Sequence, residues 1–187
     1  MKCALCKNKE CYTDGKDCLA GDVDAVAAMD ENDRRIWRVA GEVEATFYKK
    51  KTRLEEIVEF AKRMGYGKLG LAFCIGLSRE AEIIHRFFAA EFEVVSVCCK
   101  LCGIDKDDHD MPHIRPGQRE TACNPVGQAL VFNREKVDLV VICGLCVGHD
   151  ALLSKHAAAP VTTLAAKDRV LAHNPLGAVY SHYHHGG

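Results

Sequence analysis

No apolar run in the sequence approaches the ~18 residues that a membrane-crossing helix needs. Its first ten residues, MKCALCKNKE, lack the apolar stretch of a secretory signal. Charge of one sign is missing too. Twenty-five Lys and Arg against 26 Asp and Glu give a formal net charge of −1, so no global basic field invites nucleic acid or an anionic membrane. Nor is there a dinucleotide fingerprint: CIGLSRE, starting at Cys74, has one glycine where G-x-G-x-x-G requires three. A nucleotide cofactor is therefore not expected, and Ser78 reads as a helix N-cap rather than a phosphate ligand. These absences leave a soluble cytoplasmic protein as the expectation, without a nucleic-acid or membrane partner.

What is present is an ordinary globular balance, 48% hydrophobic and 27% charged over 187 residues, enough for one compact domain with a small appendage. The unusual number is eleven cysteines. The count is odd, the chain can bury a real core, and no export signal is seen. Clustered cysteines in such a setting point to metal or redox chemistry rather than to a disulfide scaffold.

Residues 1–21 have almost nothing apolar to bury, yet carry Cys3, Cys6, Cys11 and Cys18. Four thiolates spaced C-x2-C-x4-C-x6-C suit a closed tetrahedral zinc site or a four-cysteine iron–sulfur cluster. Metal binding would then supply the folding energy of this segment, for which structural zinc offers ~10–16 kcal/mol in peptides. The remainder, 22–187, reads as a helical lead-in followed by an α/β domain. Asp22 is placed to cap VDAVAAM. Ile36, Val39, Val43 and Phe47 share one helical face. In TRLEEIVEFAKRMG, Thr52 caps, Leu54, Ile57, Val58 and Ala61 point inward, and Gly65 stops the helix.

After Gly67 the rhythm alternates. Apolar strands at 68–74, 92–98, 137–143 and 160–166 are each followed by a helical stretch or a polar loop. Such alternation predicts a Rossmann-like, doubly wound, mainly parallel sheet of about four strands, with 2-1-3-4 as the natural order. Cys74, Cys98, Cys99, Cys102, Cys143 and Cys146 all fall at or just after strand ends, and Cys123 precedes a helix. In a parallel sheet these ends share one edge, where open α/β sheets bind ligands. Cysteine is also a small apolar residue, and for Cys74 alone, or one of Cys98 and Cys99, plain burial suffices. Burial is a poor account of all seven together. Two C-x-x-C units, Cys99–Cys102 and Cys143–Cys146, have the spacing of a metal or cluster chelate; the second also suits a reversible dithiol.

Cys123-Asn-Pro-Val-Gly127 and His173-Asn-Pro-Leu-Gly177 share a pattern that puts Cys123 and His173 at helix mouths. His149 lies close to Cys146 and can ligate or move protons. His109 and His113 belong to the polar stretch 105–120, a solvated loop or a lid over the edge, with Arg115 and Arg119 following them in it as anion-binding candidates. His85 reads as structural, and His182, His184 and His185 as a tail. Three segments, CALCKNKECYTDGKDC, ETACNPVGQAL and VICGLCVGHDALLSKHAAAPVTTLAAKDRVLAHNPLGAVY, together resemble a family of cysteine-rich proteins of mainly anaerobic bacteria and archaea, known as a domain of unknown function. The resemblance implies metal binding and supplies no reaction and no catalytic residues. The expectation is a metal-binding protein with two thiolate-rich sites: an iron–sulfur cluster at the sheet edge, and zinc or a second cluster at the N-terminus. Electron transfer to a partner, or binding of a small molecule, would be its task. Metal storage and a metal-free dithiol oxidoreductase are the alternatives.

Overall fold

The computed structural model describes residues 1–180; His182, His184 and His185 lie outside them. Its helices are α1 (Glu10–Thr13), α2 (Ala25–Ala28), α3 (Glu31–Phe47), α4 (Arg53–Met64), α5 (Ser78–Ala89), α6 (Pro125–Glu135), α7 (His149–His156) and α8 (Gly177–Tyr180). Its strands are β1 (Lys68–Phe73), β2 (Glu93–Cys98), β3 (Leu139–Cys143) and β4 (Val161–Ala165), each one or two residues shorter than the apolar runs that announced it. The sheet is wholly parallel, in the order β2-β1-β3-β4. That is the predicted architecture and order.

Local chemistry sets the helix ends. Thr52 and Glu55 form a reciprocal capping box at the start of α4, and Gly65 closes it in the left-handed conformation at φ 69°. Asp30 and Asp33 do the same for α3. Two caps differ from expectation. Asp24, not Asp22, caps α2, because its carboxylate is the one that reaches the Ala27 amide. Ser78 makes no capping bond; a 3₁₀ turn, Ile75–Leu77, leads into α5 and leaves the serine as its first helical residue.

Strand alternation sorts the core onto two faces. Leu69, Leu71, Leu139, Val141 and Cys143 meet α4 and α5 through Ile57, Val58, Ala61, Ala81 and Phe88. Ala72, Cys74, Val97, Cys99, Val140 and Ile142 meet α6 and α7 through Ala129, Phe132 and Leu153. Phe132 lies so close to β1 that a Cβ at Gly70 would stand 2.8 Å from its ring, which is why a glycine occupies the middle of the central strand. Gln128, fully buried in α6, donates its amide to Val97 O at 2.7 Å and ties the helix to the end of β2. Its own carbonyl oxygen is buried without a partner among the described residues.

The candidate rim site

The hydrogen-bond ladder runs on past the strand ends. Cys74 N donates to Cys143 O at 3.2 Å, Cys99 N to Phe73 O at 2.9 Å and Gly144 N to Ala165 O at 2.7 Å. The residues just beyond the strands are thus held as firmly as the strands themselves. Gly144 takes φ 69°, and a side chain there would strike Leu77, so this step of C-G-L-C is closed to other residues. Asn124 caps α6 by accepting from Gly127 N at 2.7 Å, with Pro125 in the first turn, and Asn124 N donates to Cys99 O at 2.7 Å. These bonds bring Cys123, at the mouth of α6, against Cys99.

Three thiols meet there. Cys99 and Cys123 share an S–H···S hydrogen bond at 3.8 Å, Cys74 is hydrogen-bonded to Cys99 from the other side, and the Ile75 amide donates to Cys99 Sγ at 3.4 Å. Cations flank the outer two. Lys100 Nζ lies 3.4 Å from Cys123 Sγ and is anchored on Thr121 O, and Lys167 is hydrogen-bonded to Cys74. The proton therefore stays on Cys99, whose thiol both neighbours push far up, while Cys74 and Cys123 share its single S–H between them and are lowered by it, and by the lysine beside each, against the cost of burial.

Reduced, metal-free protein should accordingly keep thiolate at pH 6, read as thiolate absorbance in the ultraviolet and abolished in a Cys74→Ser/Cys123→Ser variant. Titration of every thiol at or above the ordinary ~8.5 would refute this assignment. The unfolded chain binds more protons than the folded one between about 5 and ~8.5, so metal-free stability should rise with pH across that window and be lost as pH falls through 5. Cys143, pushed up to about 11 mainly by burial, acts in the opposite sense above the ordinary thiol range.

The other candidates are placed less centrally. Cys143 is buried on the opposite face, with α4 and α5, close enough for the charge of Cys74 to act on it. Cys146 is half-buried and accepts from Arg169 Nη2 at 3.1 Å. Cys98 packs at the margin of the α6 side, its sulfur 3.5 Å from the Lys100 amide. Cys102 is exposed at φ 70° on a tight turn. His149 begins α7, and its charge acts on Cys123. His173 is not at a helix mouth: it takes φ 64°, its Nδ1 accepts from Asp168 N at 3.1 Å, and α8 starts only at Gly177. The Asn-Pro echo therefore holds for Cys123 and fails for His173, whose ring closes the turn carrying Arg169. The stretch 105–120 is pinned at its neck by a Lys106–Glu120 ion pair at 2.6 Å and by Ala122 N donating to Ile104 O at 2.8 Å. Arg119 is taken up by Asp105, and His113 stands 2.9 Å from Asp107. His109 lies in the 3₁₀ turn Asp107–His109, and exposed Arg115 gives its amide to Glu120. His85 belongs to α5, with Nδ1 buried and without a partner among the described residues.

At the N-terminus all four thiols are exposed, yet the charges of Cys11, Cys6 and Cys3 all act on Cys18, and Cys6 sulfur takes the amides of Lys9 and Asn8, which lower its pKa. Neither there nor at the rim do three Cys, His, Asp or Glu side chains of the described residues converge closely enough to enclose an ion as they stand. What the sequence did not single out are the three cations, Lys100, Lys167 and Arg169; their signal was basic residues in the loops that follow β2 and β4.

Residues 11–164 match the family described as Protein of unknown function (DUF1847). The chain belongs to this family. The match takes in all seven rim cysteines and leaves Cys3, Cys6 and Arg169 outside it. An uncharacterised protein of Methanocaldococcus jannaschii is 50% identical over 186 residues, covering 98% of this chain and 96% of that one. No solved structure matches the chain. No helix among the described residues is long and apolar enough to cross a membrane.

Proposed function

We propose that this DUF1847 protein binds metal at the carboxyl edge of its sheet, with Cys74, Cys99 and Cys123 as ligands, and at its N-terminus through Cys3, Cys6, Cys11 and Cys18. The observation that carries the reading is the meeting of three thiols from two βα connections, with the pKa of the outer two lowered. Thiolates, not thiols, ligate metal, and here the protein holds them ready. Two sulfurs on one tetrahedral ion with bonds of about 2.3 Å stand roughly 3.8 Å apart, the spacing of Cys99 and Cys123. Side-chain rotation closes the trio on the ion, with Cys98, Cys102, Cys143, Cys146, His149 and His173 as the wider donor set.

An iron–sulfur cluster at the rim would exchange electrons with a partner or act on a small molecule; the second reading is a single zinc ion, with which the 3.8 Å spacing is equally compatible. A metal-free dithiol at Cys143 and Cys146 fits less well, since burial keeps the Cys143 thiol protonated. Metal and acid-labile sulfide analysis of protein purified without oxygen tests the proposal, together with Cys6→Ser/Cys11→Ser to silence the N-terminus. The expected result is metal at both places, with the rim share retained by the double variant. A metal-free chain, fully reduced and folded, would overturn the reading.

A further inference from the structure

We propose that Cys99 and Cys123 form a dithiol oxidised by exchange with small anionic disulfides, Cys123 receiving the disulfide and Cys99 resolving it. This chemistry needs no ion and stands apart from metal binding. Both C-x-x-C units of the sequence are split by the fold. Cys102 is exposed on its own turn, while Cys99 is 2% exposed on the α6 side. Cys143 is buried beside α4 and α5, while Cys146 takes a hydrogen bond from Arg169. The pair that meets lies 24 positions apart in the chain, with its sulfurs 3.8 Å from each other.

Backbone bonds set that spacing. Cys99 N donates to Phe73 O at 2.9 Å, and Cys99 O accepts from Asn124 N at 2.7 Å, beside the capping bond that opens α6. A disulfide needs its sulfurs at about 2.05 Å on backbones that approach closely. Here the chains are already tied next to both sulfurs, and side-chain rotation closes the rest. Exposure separates the roles. Cys99 is enclosed and Cys123 half-buried, so an incoming disulfide meets Cys123 first. Cys74, 7% exposed, flanks Cys99 on the other side. Cys123 Sγ attacks one sulfur of RSSR to form a mixed disulfide, and its proton leaves with the displaced sulfur as RSH. Cys99 Sγ then attacks Cys123 Sγ, and the second RSH departs with the Cys99 proton. Two protein thiols are oxidised to one disulfide, and RSSR is reduced to two thiols.

Charge selects the disulfide. Lys100 Nζ, held on Thr121 O, stands 3.4 Å from Cys123 Sγ, and Lys167 is hydrogen-bonded to Cys74. The charge of Arg169 is felt at Cys74 and Cys123 as well. Two cysteines packed only as apolar filling need no ammonium fixed beside them.

The test takes full-length protein, reduced and freed of metal by a chelator, oxidises it with glutathione disulfide and maps the digest by mass spectrometry. A Cys99–Cys123 link that dithiothreitol reverses is expected, with Cys74 still free. Cys99→Ser should stop at a glutathione adduct on Cys123, and Cys123→Ser should leave Cys99 unmodified. Oxidation of this pair should slow as salt rises, and with cationic cystamine it should quicken instead. A Cys74–Cys99 link in place of Cys99–Cys123, or a folded Cys99→Ser protein without the Cys123 adduct, would overturn the pair. Rates indifferent to salt with both reagents would overturn the preference for anions. Metal content of the untreated protein reports on metal binding alone, so either proposal can fail without the other.

Discussion

Cys99→Ser should empty the rim of metal. Cys99 is the middle of the trio, and its hydrogen bond is the largest of the influences that hold either neighbour near 5. The substitution is small, and the Ile75 amide that now points at Cys99 Sγ can donate to the serine oxygen, so the fold should survive. Metal per chain should therefore fall, with the circular dichroism unchanged. Cys102→Ser is the control, because that thiol is exposed on its own turn and should alter neither. Full rim metal in Cys99→Ser would remove Cys99 from the ligand set.

Phe132→Ala should cost a large part of the fold's stability. The ring is fully buried and lies directly on Gly70 of the central strand. Aromatic-to-alanine changes in such positions cost about 3–5 kcal/mol, of a total that for most domains is about 5–15. Urea unfolding of reduced protein measures it. The pair has a reciprocal signature: Gly70→Val alone collides with the ring, and in the Phe132→Ala background it should recover part of the loss by filling the space. A double-mutant cycle with a coupling of about 1 kcal/mol or more is expected for residues in contact. Additivity would mean that ring and glycine do not meet.

The sequence made β1 to β4 legible because a parallel sheet covered on both faces needs short, continuously apolar strands, and LGLAF and LVVIC are such runs. The capping box at Thr52 and the Asn124-Pro125 start of α6 were equally plain, since each is complete within four residues. The gathering of thiols at one edge came from topology. Which thiols touch did not. Parity along β3 sends Cys143 to the α4–α5 side, whereas Cys74 and Cys99, one residue past the ends of β1 and β2, turn to the α6 side. Nothing in VVIC alone says which face its last residue takes. Arg169 was less legible still. It reaches Cys146 across 23 positions, from a turn set by Asp168 and His173 whose left-handed residues are an alanine and a histidine rather than glycine.

The pairing of β1 with β3 also governs the order of events at the ribosome. Leu69 is in register with Leu139, so the most deeply buried flank of the first strand waits for a partner that emerges 70 residues later. At the usual ~5–20 residues per second of synthesis that interval is roughly 4–14 s. Through it, the newborn β1–β2 pair carries an open, apolar edge and an incomplete set of sulfurs, and is vulnerable to oxidation and to pairing with its neighbours on the same message.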